Sequence, residues 1–140
     1  MNAVLPDNHI NKEVYDRLHN SVVDGETFPL YVSRVTNGNP KQYFLINTQL
    51  NDQEYNKCGN GWTNSTEIQV IVRLKKNEGS KVLMNNATQE VLAELEDFSL
   101  PSATGLKVNN VALSIANEIV DERDSEIVYQ KIIRMETSIR

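Results

Sequence analysis

The stretch Thr66-Glu67-Ile68-Gln69-Val70-Ile71-Val72-Arg73-Leu74-Lys75 decides the fold. Ile68, Val70, Val72 and Leu74 share one phase of a two-residue repeat; Glu67, Gln69, Arg73 and Lys75 take the other, with Ile71 the single exception. Successive side chains of a strand point to opposite faces, so the alternation predicts a strand buried on one face and wet on the other. One-sided strands belong to antiparallel sheets, because parallel sheets are covered on both faces and read as continuous apolar runs.

Upstream, Phe28-Pro29-Leu30-Tyr31-Val32-Ser33-Arg34-Val35 is a β-rich run with its proline at the entry, where a strand tolerates one. Asn37-Gly38-Asn39-Pro40 is a turn signal, and the run from Tyr43 to Leu50 places Phe44, Ile46 and Leu50 on one face. Together they predict a β-hairpin over 28–50. Residues 51–64 show no period and are rich in Asn and Gly. They predict a long polar loop closed by Trp62, either functional or mobile.

Two helices complete the upstream and central pattern. Ile10, Val14, Leu18 and Val22 recur every four residues as an amphipathic stripe, with Asp7, Asn8 and Asn11 as acceptable caps and Asp24-Gly25 as the stop. After the break at Glu78-Gly79-Ser80, the residues Leu83, Ala87, Val91, Leu95 and Phe98 predict a second helix, capped by Ser80 and ending near Ser99-Leu100-Pro101.

Downstream, Val111, Leu113, Ile115 and Ile119 alternate, whereas Leu106 and Val108 lie on the opposite phase. A bulge is expected near Asn109-Asn110. The polar turn Asp121-Glu122-Arg123-Asp124 leads to Ile127, Tyr129, Ile133, Met135 and Ile139, a long last strand. The order is α-β-β-β-α-β-β: an α+β fold, with an antiparallel sheet of about five strands and two helices packed on one face. No interior linker divides the chain, and 1–140 is expected to be one domain.

Composition narrows function mainly by exclusion. No apolar run approaches the ~18 residues of a membrane span, and Met1-Asn2-Ala3-Val4-Leu5-Pro6-Asp7 has neither the basic nor the apolar region of a secretory signal. A soluble protein made in the cytoplasm, with no membrane partner, is expected. The single cysteine, Cys58, excludes an internal disulfide framework and a multi-thiolate metal site. His9 and His19 stand nearly three helical turns apart, too far to share a metal. Gly59-Asn60-Gly61 lacks the third glycine and the following helix that phosphate cradling needs. No catalytic motif is visible; no enzyme activity, cofactor or metal is expected.

The net charge of −5 has one source. Residues 1–89 balance, residues 90–126 carry −7, and the last fourteen carry +2. An acidic surface repels phosphate, which argues against a nucleic-acid reader. Tyr55 and Trp62 in the predicted loop are candidate contacts, since Tyr and Trp are enriched at protein interfaces.

The layout resembles the tail-terminator or tail-completion proteins of tailed bacteriophages, small subunits that form rings at the head–tail junction. The resemblance is carried by helix 11–21, the strand Pro29-Leu30-Tyr31-Val32, Trp62, the strand Thr66-Glu67-Ile68-Gln69-Val70-Ile71-Val72, the Gly79-Ser80 break, helix 81–95 and the two C-terminal strands. It implies a structural virion protein, made in the host cytoplasm. It also implies a homo-oligomeric ring of six or twelve subunits, contacts with neighbouring head–tail connector and tail proteins, and a lumen that passes DNA without binding it specifically. Asp52, Glu54, Tyr55, Trp62, Asp121, Glu122 and Asp124 are then the candidate lumen or inter-subunit residues. The competing reading is a small α+β ligand-binding or enzymatic domain with a pocket between helices and sheet. It would gain if Lys131 and Asn117, which interrupt the inward phase of the last two strands, met in a cavity.

Overall fold

The computed structural model describes residues 6–36, 38, 40–56, 59–76 and 81–140, with the backbone alone at Thr48, residues 54–56, Gly59 and Asn60. Helix α1 is Asp7–Leu18, followed by β1 Ser21–Val23, β2 Glu26–Phe28 and β3 Leu30–Val32. The long strands β4 Gln42–Asn56 and β5 Gly59–Lys75 come next, then helix α2 Val82–Leu95 and a 3-10 turn at Ser102–Thr104. Strands β6 Val108–Glu122 and β7 Glu126–Ile139 end the order. The main sheet runs β3-β4-β5-β7-β6, and β1-β2 form a separate two-stranded ribbon. All pairs are antiparallel except β3–β4. The α+β class and the one-sided helical layer are as the sequence predicts.

The core follows from the alternation in β5. Ile68, Val70 and Val72 are buried beside Phe44 and Ile46 of β4 and Ile133 and Met135 of β7. Ile10, Val14 and Leu18 of α1 and Met84, Ala87, Val91 and Leu95 of α2 are buried in the same cluster. Burying a large aliphatic side chain contributes about 1.5–3 kcal/mol, so this layer dominates folding. Arg17 ties the helices together: Nε pairs with Glu13 at 2.9 Å, while Nη1 donates to the Glu94 carbonyl and to Asp97, each at 2.8 Å.

The predicted hairpin over 28–50 is instead a parallel pair. Strand β4 enters beside β3 in the same direction, Leu30 against Phe44 and Val32 against Ile46. Phe44 N donates to the Pro29 carbonyl and Ser33 N to the Ile46 carbonyl, at 2.9 and 2.8 Å. Apolar alternation carries no strand direction, so either pairing reads alike. Leu50 does not share the face of Phe44 and Ile46, because the register shifts between Ile46 and Gln49. A bulge reverses the phase of everything beyond it.

The predicted loop over 51–64 is likewise corrected. Where described, it is ladder: Gln49–Thr66 through Asn56–Gly59 pair antiparallel. Two of its helix-facing side chains, Asn51 and Asn64, belong to a hydrogen-bonded polar row. Asn51 Nδ2 donates to Asp7, Asn64 Nδ2 to Asn51 Oδ1 at 2.7 Å, and Thr66 Oγ1 to Asn64 Oδ1 at 2.6 Å. A hydrogen-bonded row of this kind stays buried without apolar alternation.

The first helix ends earlier than Asp24-Gly25 suggests. Asp24 (φ 52°) and Gly25 (φ 80°) are both left-handed, which is the hairpin turn between β1 and β2. Val22 consequently leaves the apolar stripe and is exposed. Asp7 is the first helical residue, and the N-cap position, Pro6, offers no side-chain hydrogen bond to α1. The predicted Ser80 cap lies outside the described residues; α2 begins after Lys81 without a side-chain cap. The expected bulge near Asn109-Asn110 is present between Val108 and Asn110.

Candidate functional site

The seven candidate residues divide between the two ends of the sheet. Asp52, Glu54, Tyr55 and Trp62 lie on the β4–β5 hairpin, whose pairs past Trp62–Ile139 run beyond the end of β7. Asp121, Glu122 and Asp124 lie at the β6–β7 turn, at the opposite end, where Lys75 pairs with Glu126. The intervening strand is about 40 Å long, so the two sets do not form one site.

Within the first set, faces separate the residues again. Asp52 lies on the outer face, in an open groove with Leu50, Ser65, Glu67 and Arg134. Trp62, opposite Gln53 and Ile139, lies on the helix-facing side. The Trp62 Nε1 is buried and has no hydrogen-bond partner among the described residues, as is true of Thr137 Oγ1. The side chains of Glu54 and Tyr55, like Cys58, lie outside the described residues.

The acidic end is a network with two members outside its ion pairs. Asp121 pairs with Arg123 at 2.9 Å, and Glu126 accepts from Arg123 at 3.2 Å and from Arg73 at 2.8 Å. The hydrogen bond from Arg73 holds the Glu126 carboxyl below its usual range against partial desolvation, and the charges of Arg73 and Arg123 add to it. Glu118 is held down by the hydrogen bond from Lys81, whose Nζ stands 2.6 Å away. Glu122 and Asp124 are exposed and make no ion pair among the described residues.

Lys131 and Asn117 do not converge. Lys131 reaches Asn85 of α2 at 3.1 Å from the helix-facing side. The register shift between Ile115 and Asn117 turns Asn117 to the other face, where its Oδ1 accepts from the Glu118 amide at 2.8 Å. Among the described residues, no group of three or more His, Cys, Asp or Glu is placed to hold a metal. His19 instead serves the fold, since its Nδ1 accepts from the Leu30 amide at 3.0 Å and its ring stacks on Tyr15.

The features that sequence reasoning missed lie on the sheet's margins and outer face. The row Tyr43, Ile71, Gln130, Ile119 runs across the outer face, explaining why Ile71 departs from the wet phase and is buried. The edges are more conspicuous. Five exposed large apolar residues sit on the two flanks: Val32 and Leu50 on one, Ile115, Ile119 and Val120 on the other. A signal exists at Ile119 and Val120, adjacent apolar residues that cannot both face a core on one strand.

No protein-family model matches the chain, and no curated protein matches it. A chain of the solved structure "Virion of native gene transfer agent (GTA) particle" superposes with a TM-score of 0.62 at 14% identity. The superposition covers 97% of this chain and 99% of that one. The two share one fold.

Proposed function

We propose that this chain is a structural virion protein, one subunit of a closed ring at the head–tail junction that serves as tail terminator or connector ring and lets DNA pass. The observation that carries the reading is the end-to-end likeness to a virion chain, 97% and 99% covered. The sheet supplies what a ring subunit needs: two different flanks, so that each copy offers one and receives the other, which is the heterologous contact that closes into rings. Its acidity suits a channel that DNA must traverse without sticking. The subunit resides in the virion after synthesis in the host cytoplasm, its neighbours being connector and tail proteins.

Size-exclusion chromatography with light scattering, with negative-stain images of the same fractions, tests this reading. Annular particles of six or twelve subunits are expected. A monomer or compact dimer at every concentration and salt would overturn the ring.

A further inference from the structure

Each row of the sheet can be followed from one flank to the other through the strand register. Val32 lies beside Ile46, which faces Ile68, then Ile133, then Ile115. This row therefore begins and ends in exposed apolar side chains, Val32 at 40% and Ile115 at 51% exposure. A second row begins at Lys41, whose carbonyl accepts from the Arg73 amide at 2.6 Å. Arg73 faces Val128, and Val128 faces Asp121, with Glu122 the next residue. This row begins in a cation, Lys41, and ends in an anion, Asp121.

The two flanks are thus complementary at matching heights. Residues 31–50 contain Arg34 and Lys41 and no acid, whereas residues 108–126 contain Glu118, Asp121, Glu122, Asp124 and Glu126 against Arg123 alone. Arg34, Lys41, Glu122 and Asp124 are all exposed. Strand β6 is fifteen residues long and pairs with β7 only, among the described residues. A long exposed edge bearing Ile115, Ile119 and Val120 invites another strand, and soluble proteins normally blunt or cover such edges.

We infer that a second copy of this chain covers it: the β6 margin of one subunit docks on the margin formed by β3 and Lys41 of the next, setting Ile115 against Val32 and Asp121 against Lys41. This rests on the ring reading and gives it a contact. A rotation about an axis roughly along the strands keeps each row at its own height, so one contact repeats around the ring and uses both flanks of every copy. The acidic turn then serves as a subunit contact rather than as lumen wall.

Charge exchange tests it, with light scattering as the readout and circular dichroism as the folding control. Asp121→Lys alone and Lys41→Glu alone should each weaken assembly about tenfold or more at physiological salt. The double variant should return to within about threefold of the parent. Rings unaffected by both single changes, or not restored in the double variant, would overturn this contact while leaving the ring itself standing. Failure of the parent chain to assemble at any concentration would overturn both.

Discussion

One guanidinium nitrogen of Arg73, near the end of β5, donates to both carboxylate oxygens of Glu126, at 2.8 and 3.2 Å, and so fixes the start of β7 against β5. Arg123 reaches the same carboxylate from across the turn at 3.2 Å. Glu126 is thereby favoured as the anion in the folded chain. A carboxyl whose folded pKa lies below its unfolded value adds stability above the unfolded value, near 4.3 for Glu, and loses it as pH falls through the folded one. Stability should therefore decline with acidification below about pH 4.5, and Glu126→Gln should flatten that decline. Urea midpoints at a series of pH values measure both slopes; equal slopes would remove Glu126 from the account.

The helical pair hinges on Arg17. Its side chain is 19% exposed, accepted by Glu13 and the Glu94 carbonyl, and it lies 5.5 Å over the Phe98 ring. Asp97 is largely exposed, so that arm adds little. Arg17→Ala should cost about 1–3 kcal/mol, chiefly through the stranded carbonyl and the lost stacking. Arg17→Lys should recover part of this, since an ammonium lacks the planar fork. Chemical denaturation with unchanged m-values checks it.

Thr137 sits between Asn64 and Val111 on the helix-facing side, and its hydroxyl has no partner among the described residues. Replacement by the isosteric Val removes a buried unsatisfied group and improves β propensity. Thr137→Val should raise stability by about 1 kcal/mol. A loss of stability would mean that the hydroxyl is bonded in solution.

Gly61 admits no side chain. A Cβ there would stand 2.7 Å from the Ile139 carbonyl oxygen and 2.9 Å from Arg140 Cγ. The first neighbour is backbone and cannot swing aside, so Gly61→Ala should cost about 1–3 kcal/mol by displacing the end of β7. Hydrogen exchange should show the loosening first at Ser138 and Ile139. Unaltered exchange there would refute the steric account.

The alternation of β5 and the four-residue spacing of α1 and α2 make the layers legible, because both report burial directly. What burial does not encode stays hidden in the sequence. Strand direction is silent in the spacing of Leu30, Phe44 and Ile46, hence the hairpin expected where β3 and β4 run parallel. Asp24-Gly25 fits a helix stop and a hairpin turn equally well, and only the left-handed pair of dihedrals decides it. Asn51 and Asn64 read as loop because their burial rests on hydrogen bonds to Asp7 and Thr66 rather than on apolar character.

Of the candidate residues, the acidic turn is legible as an isolated run of charge. The structure adds that Asp121 and Glu126 are engaged, while Glu122 and Asp124 make no ion pair among the described residues. Lys41 carries no such signal. Its standing comes from lying abreast of Arg73 and hence of Asp121, a relation that only the assembled register reveals.

The strand order also dictates how the chain must acquire its shape. The hairpins β4–β5 and β6–β7 each close locally, but they join only along the β5–β7 seam, from Lys75–Glu126 to Trp62–Ile139, pairs more than fifty positions apart. Closing so large a loop carries an entropic cost that no early contact offsets. Seam formation is therefore expected to be the slow step of folding. Until it is complete, β5 and β7 each expose a full-length open edge to other nascent copies, so the chain is most prone to mispairing just before its sheet closes.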